Sequence, residues 1–67
     1  MKCKIEIDMN NAAFGDNLAD RSAELSRILQ YLADRCMKQW LDPGDHISAF
    51  DANGIRVGQL MIEADEG

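Results

Sequence analysis

The sequence predicts a small α+β domain of order β-α-β-β: a three-stranded, mainly antiparallel sheet with one long helix packed on one face. Three observations carry this. Residues 2–9 alternate strictly between apolar and charged. Residues 18–38 hold an apolar stripe at helical spacing. Residues 46–50 and 55–63 are strand-like runs on either side of an Asn-Gly pair.

In the first run, Cys3, Ile5, Ile7 and Met9 face one way and Lys2, Lys4, Glu6 and Asp8 the other, the period of a half-buried strand. A loop follows at residues 10–17, rich in turn formers; Phe14 within it is expected to fold back as a plug under the helix. Asp16 or Asn17 is placed to cap that helix. Along residues 18–38, Leu18, Leu25, Ile28, Leu29, Leu32 and Cys36 recur at spacings of three, four and seven. Asp16 and Asp20 near its start and Arg35 and Lys38 near its end suit the helix dipole. Glu24 with Arg27, and Asp34 with Lys38, stand at ion-pairing distances along the helix. A helix of this length is about 30 Å long, so one end is expected to overhang a short sheet. Pro43-Gly44 stops it.

Asn53-Gly54 supplies the positive φ angles of a two-residue hairpin turn, which sets Phe50 opposite Val57 and Asp51 opposite Arg56; a four-residue loop is the alternative. The first strand is expected beside the third. Phe50, Val57 and Met61 then share one face of the hairpin, and Ile47, Ala49, Leu60 and Ile62 the other. One helix covers one face, so the second set is read as the face of a homodimer. The acidic end of the chain, residues 63–67, is expected to fray.

At 67 residues the chain is one domain, residues 1–67. A composition 46% hydrophobic and 28% charged belongs to a folded chain, not a disordered one. Unbroken apolar runs reach only two or three residues, too short for a membrane helix, and residues 1–8 lack a signal-peptide core. The expected compartment is therefore the cytosol. So small a core leaves modest stability, which self-association would raise.

The net charge of −5, with seven scattered basic residues, opposes direct nucleic-acid binding and suits a protein partner with a basic surface, besides keeping a small protein soluble. No cofactor is implied. Cys3, Cys36 and His46 lack metal-ligand spacing, and both thiols fall on inward faces, where they act as small apolar groups. No phosphate-binding glycine run occurs, and Asp51-Ala52-Asn53-Gly54 departs from a calcium loop because its glycine arrives too early. No catalytic set emerges. The best interaction candidate is Tyr31, Asp34, Arg35 and Trp40, since Tyr, Trp and Arg often anchor interfaces. In the competing reading Trp40 closes the end of the core and Tyr31 rests on the hairpin.

Three segments stand in a recognisable order: Asn11-Ala12-Ala13-Phe14, Arg27-Ile28-Leu29 with Leu32-Ala33-Asp34-Arg35, and Asp51-x-Asn53-Gly54-x-x-Val57-Gly58. Together they resemble a group of very short uncharacterised accessory proteins encoded by phages and prophages. The resemblance spans most of the chain and fits least over residues 38–46. It implies a non-enzymatic protein that acts by binding a host or phage protein, including inhibition of a bacterial defence system in the manner of an anti-CRISPR. The alternative is a homodimeric assembly scaffold.

Overall fold

A computed structural model describes residues 1–65; the last two residues of the acidic tail lie outside the described residues. The elements are β1 (Lys2–Ile7), a 3-10 turn (Ala12–Phe14), α1 (Leu18–Lys38), β2 (His46–Phe50) and β3 (Arg56–Glu63). The fold is the α+β class expected. The helix and β2 have the expected limits, while β1 ends two residues early and β3 starts one residue late.

Local chemistry explains the helix boundaries. The Asn17 side chain accepts from the Asp20 N–H at 2.9 Å, which satisfies a donor that the first turn leaves free. Its amide donates back to the Asp20 carboxylate at 3.1 Å. At the other end Gln39 turns extended, and Arg35 and Lys38 lie in the last turn.

The sheet order is β1-β3-β2, both pairings antiparallel, so β1 and β2 run parallel on either side of β3. Ile5 pairs with Leu60, and Ile47 pairs with Leu60 from the other side. Directly opposed residues share a face. The inner face therefore collects Cys3, Ile5 and Ile7, Ile47 and Ala49, and Leu60 and Ile62. The core is Phe14, Ile28, Leu32, Ile47, Ala49, Val57, Leu60 and Ile62. This corrects the expected dimer face: Ile47, Ala49, Leu60 and Ile62 are buried within one chain. The hairpin alone does not say which face the helix takes. The apolar side of β1, continuous with Leu60 and Ile62, decides it. Phe14 seals the core from the loop as expected.

The hairpin turn also differs from expectation. Only Gly54 takes a positive φ, +82°, and Asn53 does not. The Gly54 N–H donates to the Asp51 carbonyl at 3.0 Å and the Asp51 N–H to the Ile55 carbonyl at 2.9 Å, which leaves three residues in the loop. Phe50 consequently pairs with Arg56, and the register shifts between Ala49 and Phe50. The extra residue is Val57, which joins the core instead of facing Phe50. Next to it Gly58 lies under the β1 backbone: a Cβ there would stand 1.9 Å from the Glu6 carbonyl oxygen.

The helix packs on β2 and on the 3-10 turn. The far side of the inner face, at β1, is left open: Cys3 is exposed and Ile5 is half-exposed. Leu18 and Met37, near the two ends of α1, are exposed, consistent with a helix longer than the sheet it rests on.

Candidate functional site

Two places concentrate side chains of chemical interest, one at each end of α1. The first joins the helix to the hairpin turn. Glu24 and Asp51 are both buried, at 7% and 4% exposure. Glu24 lies one turn before Ile28 and two before Leu32, on the buried stripe itself. Its Oε1 accepts from Arg27 Nε at 2.6 Å and its Oε2 accepts from the Ala52 N–H at 2.8 Å. The Arg27 guanidinium continues to the Phe50 carbonyl at 3.0 Å. Asp51 Oδ1 accepts from the N–H groups of Asn53 and Ile55 at 2.8 and 2.9 Å, while its Oδ2 has no partner among the described residues.

The hydrogen bond from Arg27 lowers the Glu24 pKa below its ordinary value and outweighs burial, which pushes the other way. Of the four oxygens on the two carboxylates, three accept N–H groups: Asp51 Oδ1 shapes the turn from within, Glu24 Oε1 holds Arg27, and Glu24 Oε2 ties the turn to the helix. This is a positional latch. The expected pairing of Asp51 with Arg56 is absent; Arg56 donates instead to Ser48 Oγ at 3.3 Å and Gln59 Oε1 at 3.0 Å. Sequence reading found the Glu24–Arg27 pair but not its burial. The signal was present in the four-residue spacing of Glu24, Ile28 and Leu32.

The second place is the C-terminal end of α1. Trp40 is 92% exposed and Met37 is 87% exposed. They share a shallow concavity with Lys38 and Gln39. Asp34 pairs with Lys38 at 2.9 Å, as the helical spacing predicts. Tyr31 and Arg35 are also exposed, one turn apart on the helix, but they do not line the Trp40 concavity. The structure thus separates the expected patch into a Tyr31–Arg35 flank and a Met37–Trp40 tip. Trp40 does not close the core; Leu41, the next residue, packs against it.

Cys36 is partly buried against the core, while Cys3 is exposed, contrary to the burial expected of it. Its side chain belongs to the inner face, but the helix does not reach over β1. His46 is exposed at the start of β2. Among the described residues no three His, Cys, Asp or Glu side chains converge as metal ligands, and no helix is long and apolar enough to cross a membrane. Compared with models of protein families, with curated proteins and with solved structures, the chain matches none.

Proposed function

We propose that the protein is a non-enzymatic accessory protein that acts by binding another protein through the tip of α1. The observation that supports this reading is the pairing of an indole and a thioether, Trp40 and Met37, held almost fully in water beside the Asp34–Lys38 ion pair. A large apolar residue so exposed gains free energy when a partner covers it, and tryptophan is the residue type most enriched among binding hot spots. The net charge of −5 adds long-range steering toward a basic surface. With the phage resemblance, the partner class is a host protein with such a surface, occluded in the bacterial cytosol, a defence component included.

A photo-crosslinking amino acid placed at position 40, in cells infected by phage, tests this. One specific protein adduct, together with loss of any effect on phage growth in Trp40→Ala, is the expected result. An unaltered phenotype in Trp40→Ala and no adduct would overturn it. Partner affinity that does not change between low and high salt would remove the charge-steering element. A second reading, the homodimeric scaffold, draws on a different observation: the open sheet edge at β1.

A further inference from the structure

β1 and β2 are the two edges of the sheet, and they are finished differently. At β2 the helix packs on the strand and Arg27 reaches the Phe50 carbonyl. At β1 no hydrogen bond from outside the sheet reaches Cys3, Ile5 or Ile7 among the described residues. Peptide groups alternate in direction along a strand. The Asp8 N–H donates to the Val57 carbonyl on β3, so Lys2, Lys4 and Glu6 also turn their peptide groups toward β3. Cys3, Ile5 and Ile7 then present theirs at the open edge. Such an edge is a template for another strand.

The side chains on this edge specify which strand fits. The outer face carries Lys2, Lys4, Glu6 and Asp8 in order, two cations and then two anions. We infer that β1 pairs antiparallel with β1 of a second copy, Ile5 opposite Ile5, to form a two-fold symmetric homodimer. This register sets Lys4 against Glu6 and Lys2 against Asp8, each pair occurring twice by symmetry. On the inner face it sets Ile5 on Ile5 and Cys3 on Ile7, covering the half-exposed Ile5 (47%). Sliding the pairing by two residues, the smallest slip that keeps the free peptide groups facing each other, puts Lys4 on Lys4 or Glu6 on Glu6. Like charges directly opposite are destabilising, so the charge order selects the Ile5-centred register. The two three-stranded sheets become one of six strands with both helices on the same face. Closure by the two-fold axis uses up both copies of this edge.

The inference rests on the scaffold reading for its premise that two copies associate, and adds where and in what register they meet. The test is sedimentation equilibrium of the full chain and its charge variants, with circular dichroism confirming the fold of each. The wild type is expected as a dimer. Lys4→Glu and Glu6→Lys each turn two attractive pairs into two repulsive ones and weaken self-association by about tenfold or more. An equimolar mixture of these two variants sets reversed position 4 of one chain against reversed position 6 of the other, and is expected to dimerise like the wild type. So is the double variant K4E/E6K, which also lacks the native Lys4–Glu63 pair and so separates that contact from the interface. A monomeric wild type would overturn this inference and the scaffold reading together. A dimer unaffected by the single variants, or not restored by the mixture, would overturn the β1 register and leave the scaffold reading standing.

Discussion

The two ends of α1 meet opposite treatment. In its first half one charged side chain, Glu24, is taken out of water and every contact is specific: Glu24 to Ala52 and Arg27, and the half-exposed Arg27 to Phe50. At its finish, apolar side chains are left in water with only the Asp34–Lys38 pair beside them. Burying a carboxylate costs free energy unless N–H groups replace its water, and exposing an indole forgoes the gain from burial. The first arrangement trades desolvation for position. The second sacrifices stability and keeps a surface for contact. The difference teaches that polarity alone does not locate the working part of this molecule: its buried charges are structural, and the exposed apolar tip is the candidate for binding.

Substitutions that strike the fastened half should be felt most. Gly58→Ala is expected to lower stability by about 3 kcal/mol, because the new methyl group meets backbone and not a movable side chain. Denaturant unfolding followed by circular dichroism measures it. Asp51→Ala removes the acceptor for two N–H groups and should cost about 2 kcal/mol. Asp51→Asn keeps an acceptor oxygen and replaces the unpartnered one with a donor, so a smaller loss is expected from it.

Acidity should act through the same latch. The folded-state pKa of Glu24 lies below its ordinary value near 4.5. Its contribution to stability is therefore complete above that value and is lost as pH falls through the lowered folded-state pKa. Glu24→Gln should flatten this part of the acid unfolding curve. The smallest effect on folding belongs to the tip. Trp40→Ala and Met37→Ala should change stability by no more than about 0.5 kcal/mol while removing partner binding. A large loss of stability in either would erase the contrast between the two ends.

Much of the architecture was readable because several local signals agreed. The helix limits followed from Asn17 as cap, the Ile28–Leu32 stripe and the stop at Pro43; the strand order followed from the short Asn-Gly hairpin and the apolar alternation of β1. The hairpin face was misassigned because both of its faces carry apolar residues. The choice belongs to the register of β1 on β3, a long-range fact. The turn was misjudged by one residue because the Asp51 carboxylate captures the Asn53 and Ile55 N–H groups, a side-chain effect that outweighs the usual preference of Asn-Gly. That single residue is what brings Val57 into the core. Of the interaction patch, its residue types were legible. Its division into flank and tip was not, because it depends on the extended backbone at Gln39, where the chain leaves the helix.

Trp40 is the sole tryptophan of the chain, so its exposure has an optical consequence. Its emission should already be that of an indole in water when the protein is folded. Unfolding would then shift the spectrum little, and thermal or chemical melts followed by intrinsic fluorescence would look featureless. Docking onto a partner would move the emission to shorter wavelength. The molecule thus carries a built-in reporter that is nearly blind to its own folding and sensitive to its being bound.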